Sequence, residues 1–255
     1  MNAFPRLLPA LAIAVLASAC APLNLQQDFS PVPAPAPAAG DRWTLQVLNG
    51  YNKLPVGSEA YEVVSAGGER TEVRLTRDAG RPEVRAYDAG WNPLSGRMAP
   101  GLPTGYNNVL TTGAPVSYSP ALPALRFPLE PGASWKSRIT VAEVGSGRSV
   151  EADVSGKVLG LGQVETPAGR FDAIRVRQDI YYRDFVWWRT PIHEWHFEWY
   201  APSLGIVVHR QTQSSYIDLT RGGGTTTGGN SELMYGDFLV EQLLEYTPAK
   251  PRPQR

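Results

Sequence analysis

Apolar and polar residues alternate along most of the chain from residue 41 onward. The alternation recurs in segments that begin near Trp43, Tyr61, Val73, Val150, Ile174, Trp195 and Phe238. A period of two is typical of β-strands that bury one face and expose the other. Turn-forming sequences such as Asn49-Gly50 and Gly67-Gly68 separate the segments. We therefore predict an all-β domain over residues 41–248, a single curved antiparallel sheet that forms a half-barrel or open β-barrel with long loops.

Two stretches interrupt this pattern. Residues 91–123 are rich in Pro and Gly and are predicted to be mostly loop, with one short strand. Residues 221–230 read RGGGTTTGGN and predict a flexible loop. The motif Gly-x-x-Trp occurs at 40–43 and again at 132–135, a weak indication that the domain has two related halves.

Aromatic residues are concentrated between residues 181 and 200. Trp195, Phe197 and Trp199 alternate with Glu194, His196 and Glu198. The simplest interpretation places the three aromatic rings in the core and the three polar side chains on the outer, solvent-facing side.

A second aromatic group, Phe185, Trp187 and Trp188, precedes Thr190-Pro191 and falls at a predicted hairpin tip. These three residues are the candidate ligand-binding site. The tip could insert into a membrane, line the mouth of a lipid cavity, stack on sugar rings, or simply pack against the 91–123 loop.

The N-terminal residues have the features of a secretory signal. Arg6 precedes an apolar run from Leu7 to Ala17, and small residues follow it. The run is too short to span a bilayer, which needs about 20 apolar residues. We therefore assign residues 1–19 to a signal peptide.

The only cysteine of the chain, Cys20, comes directly after this segment. The segment resembles the lipobox of bacterial lipoproteins, which implies acylation of Cys20 and a membrane anchor. It departs from that pattern because Ala17 stands where Leu is usual. Ala17-Ser18-Ala19 would also suit an ordinary cleavage site that releases a periplasmic protein. By resemblance to sorting signals, Ala21 after the cysteine implies the outer membrane.

The segments on either side of the β domain have low complexity. Residues 20–40 contain an alternating Pro-Ala stretch, which favours an extended conformation. We predict that they form a tether behind the acylated cysteine, and that residues 249–255 form a disordered tail.

Composition and charge exclude several classes of protein. A single cysteine excludes a disulfide scaffold, a four-cysteine zinc module and an iron–sulfur protein. The chain has 24 basic and 24 acidic residues, so it lacks the positive charge of a nucleic-acid-binding protein. We accordingly expect no nucleic-acid partner.

Three motifs resemble those of bacterial envelope proteins. The block from Val164 to Val176 resembles their V-x-T-P-A-G-x-F-D-A hairpin, and Trp199 to Val207 resembles their W-Y-A-P-x-x-G segment. The segment from Phe127 to Trp135 is similar to their F-P-L-x-x-G-x-x-W opening. The resemblance implies a relative of the incomplete β-barrels of lipoprotein-localisation-factor-like proteins, whose concave sheet holds an acyl chain. The TPAG turn itself is explained by its turn-forming residues.

No catalytic motif, cofactor motif or strong metal site is present. The chain lacks G-x-S-x-G, S-x-x-K and H-E-x-x-H sequences, so we expect neither catalytic residues nor a cofactor. His196 and His209 are weak metal candidates, because they could meet across two paired strands with Glu194 or Glu198 nearby. A polar outer face is the favoured alternative.

These observations predict a membrane-anchored, non-enzymatic envelope lipoprotein that binds a lipid or other apolar ligand in a concave β-sheet. Two alternatives remain: a glycan- or peptidoglycan-binding surface module that uses exposed aromatic residues, and a structural partner in an outer-membrane assembly. A wide apolar cavity would favour the first function, a flat aromatic strip the second, and a filled core the third.

Overall fold

The computed structural model describes residues 25–78, 80–98, 110, 111, 113–184, 186–220 and 231–249. Within these ranges the regular secondary structure consists of β-strands. None of the described residues belongs to a helix long and apolar enough to cross a membrane. The predicted loop at 221–230 lies outside the described residues, as do residues 99–109 and 112 of the Pro- and Gly-rich stretch 91–123.

The twelve strands are β1 (Arg42–Asn49), β2 (Pro55–Ser65), β3 (Arg70–Arg77), β4 (Glu83–Asp88), β5 (Ser95–Arg97), β6 (Pro115–Ser119), β7 (Ser134–Glu143), β8 (Ser149–Thr166), β9 (Gly169–Tyr182), β10 (His193–Ala201), β11 (Ile206–Asp218) and β12 (Glu232–Thr247).

All twelve strands belong to one antiparallel sheet that is nearly closed into a barrel. β1 pairs with β12, and the sheet order β4-β3-β2-β1-β12-β11-β10-β9-β8-β7-β6-β5 leaves one seam between β4 and β5. The turn after β4 narrows this seam, because the Leu94 amide donates to the Ala86 carbonyl at 2.7 Å. The all-β prediction is confirmed, with the sheet closer to a full barrel than to a half-barrel.

Each half of the barrel opens with the Gly-x-x-Trp motif. Gly40 and Gly132 both have positive φ, at 94° and 69°, and they lead into β1 and β7. Trp43 and Trp135 follow and are both buried. A residue without a Cβ is favoured at such a backbone conformation, and this explains the glycine of the motif.

The V-x-T-P-A-G sequence forms the turn of the long β8–β9 hairpin. Gly169 has a φ of 132°, and the Thr166 hydroxyl donates to the Gly169 carbonyl at 3.2 Å. The hairpin tip reaches β12, where the Ala168 amide donates to the Leu243 carbonyl at 3.0 Å. This turn therefore also links strands that are three places apart in the sheet.

A loop segment fills much of the barrel interior. Residues 120–133 place Leu122, Leu125 and Leu129 among the buried side chains of the strands. The Trp135 indole and the Gln178 amide both donate to the Pro123 carbonyl, at 2.8 and 3.0 Å. A barrel of eight strands is just filled by its own side chains, so a twelve-stranded ring needs such an additional element.

The segment before β1 also packs on the barrel, which differs from the predicted free tether. Gln26 and Leu161 exchange two backbone hydrogen bonds, of 2.7 and 2.9 Å, and Val32 pairs with Leu129 in the same way. Phe29 and Val32 pack against the buried cluster around Leu129. Residues 25–40 are thus attached to the domain, whereas Cys20 and the rest of the predicted tether lie outside the described residues.

Candidate binding site in the barrel interior

The polar face of β10 points into the barrel. Glu194, His196 and Glu198 line an interior cavity of about 190 Å³, and both carboxylates are only 6% exposed. Because side chains alternate along a strand, Trp195, Phe197 and Trp199 lie on the outer side. The prediction of a polar outer face is therefore wrong, and so is the prediction that Trp195 and Phe197 belong to the core. Trp199 is 4% exposed and does belong to a buried core cluster, together with Leu45 and Leu243.

The outer rings of β10 are covered by neighbouring side chains. The Arg175 guanidinium lies 4.3 Å from the centre of the Phe197 ring and 4.8 Å from that of Trp199. Trp195 packs against Phe238 of β12 with ring centres 5.8 Å apart. Cation–π and ring contacts of this kind cover Trp195 and Phe197, whereas Trp199 is also buried by packing in the cluster that contains Val208 and Leu243.

Many of the charged residues of the chain gather inside the barrel. Five glutamates and four arginines lie in or next to the cavity: Glu59, Glu83, Glu194, Glu198, Glu241, Arg77, Arg85, Arg97 and Arg210. We call this set the interior charge network. Strands β2, β3, β4, β5, β10, β11 and β12 each contribute at least one member.

Arginine side chains join most of these carboxylates in pairs. Arg210 contacts Glu198 at 2.7 Å and Glu241 at 2.9 Å. Glu83 accepts from Arg77, Arg85 and Arg97 at 3.0, 3.1 and 2.5 Å. A buried charge needs such partners, because it loses its hydration on leaving water.

Glu194 has different partners. Its Oε1 lies 2.7 Å from His196 Nε2, and the Tyr182 hydroxyl donates to its Oε2 at 3.1 Å. The other ring nitrogen of His196 lies 3.0 Å from the Thr212 hydroxyl. Burial is the largest single effect and would lower the pKa of His196. The charge of Glu194, a hydrogen bond to it and the charge of Glu198 together outweigh burial and raise that pKa above its ordinary value.

Burial also shifts other groups around the cavity. The pKa values of Tyr61 and Tyr182 are raised by burial and then by the nearby carboxylates Glu59 and Glu194. Burial raises the pKa of Glu241 even though Arg210 stands beside it. Clusters of perturbed groups in a cavity are typical of functional sites. The sequence pattern does not single out Arg85, Arg210 or Glu241. The segments that carry Arg85 and Arg210 are not among those whose alternation predicts strands, and Glu241 stands on the polar, predicted outer face of the last one.

The two histidines proposed as metal ligands do not meet. His196 faces the interior opposite Thr212, whereas His209 pairs with Trp199 and therefore lies on the outer side. The rings of Trp199 and His209 are 4.5 Å apart, edge to face. Across the described part of the chain, no group of three His, Cys, Asp or Glu side chains could hold a metal ion. The predicted meeting of His196 and His209 is wrong.

His209 makes the stability of the fold depend on pH. Burial, with the charges of Lys53 and Arg175, lowers the pKa of His209 from 6.5 to about 4. The folded state therefore binds fewer protons than the unfolded state between these values. Its stabilising contribution is complete above pH 6.5 and is lost as the pH falls towards 4.

We expect His209→Gln to remove this part of the acid sensitivity. Between pH 6.5 and 4 the wild type should lose about 3 kcal/mol more of its free energy of unfolding than the variant. Urea denaturation at several pH values measures the difference. Gln213→Ala, on the same strand, removes a hydrogen bond to the Tyr51 hydroxyl rather than to His209, and it should keep the wild-type slope. Equal slopes for wild type and His209→Gln would contradict the assignment.

The three aromatic residues of the predicted tip do not act together. Trp187 is 77% exposed, whereas Trp188 packs inward against Tyr216 with ring centres 5.9 Å apart. Phe185 lies outside the described residues. Trp188 also belongs to the packed cluster that contains Met98 and Leu110, in line with packing against the 91–123 loop. Only Trp187 of the two described residues is available at the surface.

A buried ion pair holds the segment that carries these tryptophans. Arg189 Nη2 lies 2.5 Å from Asp184 Oδ2, and the two side chains are 1% and 7% exposed. The Arg189 guanidinium also lies 5.5 Å from the Trp188 ring. The pair therefore fixes the position of Trp188 and, through it, of the exposed Trp187.

We expect Asp184→Ala to destabilise the fold strongly. The change leaves the Arg189 charge buried without its carboxylate, which costs about 3–5 kcal/mol for a buried pair. Arg138→Ala breaks a pair with Asp153 in which both side chains are more than 40% exposed, so it should change the free energy of unfolding far less. Chemical denaturation of both variants provides the test, and similar losses would argue against a special role for the buried pair.

The chain is similar in overall fold to three solved structures. One is a candidate lipoprotein of Parabacteroides distasonis, with 12% identity, a TM-score of 0.48, and coverage of 86% of this chain and 100% of that one. Another is an exported protein of Bacteroides fragilis with a YmcC-like fold, with 16% identity, a TM-score of 0.45 and the same coverage. The third is the lipoprotein YmcC of Escherichia coli, with 11% identity, a TM-score of 0.37, and coverage of 85% and 87%.

Neither protein-family models nor curated protein sequences match the chain. The similarity to solved structures thus concerns overall fold only. The resemblance of the V-x-T-P-A-G hairpin to that of other envelope proteins stays a prediction from the sequence.

Proposed function

We propose that this chain is a lipid-anchored envelope protein whose barrel binds a small polar ligand in its interior cavity and catalyses no reaction. The observation that supports the proposal is the interior charge network, which surrounds the cavity with carboxylates and guanidinium groups. A ligand with ionic groups finds matching partners there.

Stability alone does not account for this network. Buried ion pairs contribute little net stability, because desolvation of both charges offsets their attraction. Apolar residues of similar volume would fill the same space at equal or lower free energy. Charged residues that surround open space inside a barrel are therefore better explained by recognition of a ligand.

The same observations argue against a lipid in the interior. A cavity of about 190 Å³ is smaller than the 300–1,000 Å³ that is common for drug-sized ligands. The described lining includes Glu194, Glu198 and Arg210, which an acyl chain would desolvate without pairing. The proposed ligand of the cavity is therefore a polar molecule and not the apolar one predicted from the sequence. Lipid enters the proposal only as the acyl chains of the N-terminal anchor.

A larger side chain that fills the cavity should prevent the protein from retaining a bound small molecule during purification. Ala124 lines the cavity from the interior loop, and Ala124→Leu adds apolar volume without removing a charge. Small molecules released by denaturing the purified full-length protein should be detected by mass spectrometry for the wild type and be lost in this variant. Equal release from both proteins, or none from the wild type, would contradict interior binding.

Anchoring by acylated Cys20 is the second part of the proposal. A diacylated N-terminus binds membranes firmly. Cys20→Ser should therefore move the protein from the membrane fraction to the soluble fraction of a bacterial host. Ser18→Ala, which leaves the cysteine in place, should stay with the membrane. Retention of the Cys20→Ser protein on carbonate-washed membranes would contradict the anchor. Ala21 favours the outer membrane as the destination.

A second candidate function rests on Trp187. This ring is 77% exposed, and the neighbouring β11–β12 end also exposes the paired residues Ile217 and Leu233. An exposed indole can stack on sugar rings, so this surface is a candidate contact for peptidoglycan.

Co-sedimentation with purified peptidoglycan tests this second function. Trp187→Ala should reduce the bound fraction at least several-fold, because it removes the stacking surface. Val84→Ala, which truncates an apolar side chain of β4 that is 56% exposed, is the matched control and should bind like the wild type. Equal sedimentation of all three proteins would exclude Trp187 as a glycan contact.

A further inference from the structure

We propose that the interior cavity binds a small zwitterion, a molecule of amino-acid size with one carboxylate and one ammonium group. The inference rests on the proposed function, because it names the class of ligand for the same cavity. Arg85 binds the carboxylate and Glu194 binds the ammonium group. We call these two side chains the poles of the site.

Arg85 is suited to hold a carboxylate. It lines the cavity with 17% of its side chain exposed. Within the described part of the chain, its hydrogen bonding consists of one bond from Nε to Glu83, at 3.1 Å. Both Nη groups are therefore left for a ligand. A guanidinium group offers parallel N–H donors that match the two oxygens of a carboxylate.

The other arginines around the cavity are more fully engaged. Arg97 donates to Glu83 and also to the Gly113 carbonyl, at 2.5 and 2.9 Å. Arg210 uses Nε and Nη1 on two different carboxylates. Arg85 is thus the arginine of the described network with the greatest free donor capacity towards the cavity.

Glu194 is suited to hold an ammonium group. Among the described residues, its partners are His196 and Tyr182, and no arginine contacts it. Its side chain is buried and lines the cavity. The remaining lone pairs of the carboxylate can accept N–H donors from a ligand.

The two poles come from different strands and line the same cavity. Arg85 belongs to β4 and Glu194 to β10, which stand at distant places in the sheet order. Tyr118 also lines the cavity; burial raises the pKa of its phenol, and the charges of both Glu194 and Arg85 act on it. A ligand between the poles would therefore lie against this ring.

Charge balance favours a ligand that is neutral overall. The interior charge network has five carboxylates and four guanidinium groups, and His196 beside Glu194 supplies a fifth positive charge when it is protonated. Arg77 and Arg97 are 36% and 41% exposed, but Arg85, Glu194 and Glu198 are largely buried, so a ligand charge without a partner beside them would be costly. A zwitterion introduces both charges together and pairs each of them.

The rest of the lining limits the size of the ligand. Leu122, Leu125 and Ile180 supply apolar surface beside the poles. With about 190 Å³ available, this surface suits a small apolar side chain. L-Alanine is therefore the probe of choice, with acetate and ethylammonium as its two halves.

Titration calorimetry of the full-length protein in detergent tests the inference. L-Alanine should bind at least tenfold more tightly than acetate or ethylammonium. Arg85→Met and Glu194→Gln should each weaken L-alanine binding at least tenfold. Arg70→Met, at a surface arginine that is 60% exposed, should leave it unchanged. If Arg85→Met fails to fold, Arg85→Lys keeps the charge but loses the paired donors, and it should also bind more weakly.

The outcomes separate this inference from the proposed function. If acetate binds as tightly as L-alanine, the assignment of Glu194 to the ammonium group is wrong. If ethylammonium binds as tightly as L-alanine, the assignment of Arg85 to the carboxylate is wrong. If none of the three probes binds while the wild type releases a small molecule that Ala124→Leu lacks, the zwitterion is wrong and interior binding stands. If there is neither binding nor release, both proposals fail.

Discussion

The circumference of the sheet is the constraint on which the rest of this structure depends. Twelve strands in one ring enclose more space than their inward side chains can fill, since eight strands already suffice for a packed interior. The chain fills part of that space with residues 120–133, held by the Pro123 carbonyl between Trp135 and Gln178. The remaining space becomes the cavity. A narrower barrel would have had neither the interior loop nor room for buried charges.

The buried charges follow from this incomplete filling. Polar side chains can face inward only where they find partners, and the wide interior lets β10, β11 and β12 place Glu198, Arg210 and Glu241 side by side. Towards β7, β8 and β9 the same interior is apolar, with Ile139, Val154 and other buried side chains packed together. A second buried apolar cluster lies on β1, β2 and β3 and includes Leu45, Val63 and Leu75. The charged side chains are therefore set among apolar clusters, and residues of both kinds line the cavity.

Alternation along the strands predicted the fold class but could not tell which face is inside. In β10, Trp195 and Phe197 alternate with Glu194 and His196. A period of two separates the side chains into two faces, but it does not say which of the two faces points into the barrel. The usual rule that aromatic rings go inside fails here because the outer rings are covered by Arg175 and Phe238. The prediction of a free tether rests on composition. Composition cannot show that Gln26 forms backbone hydrogen bonds with Leu161, so the attachment of this segment to the barrel was not predictable. The TPAG turn was predictable because its geometry is local.

The N-terminal segment joins the barrel far from the exposed indole. Gln26 is held at Leu161 in β8, and Leu161 lies nine positions along that strand from Ala152, the partner of Tyr182. At about 3.3 Å per residue this distance is about 30 Å. Trp187 follows Tyr182 beyond the end of β9, so the point where Gln26 joins the barrel and the exposed ring lie towards opposite ends of these strands. The cavity is lined by inward-facing residues that do not include Trp187, so the two candidate binding surfaces are separate.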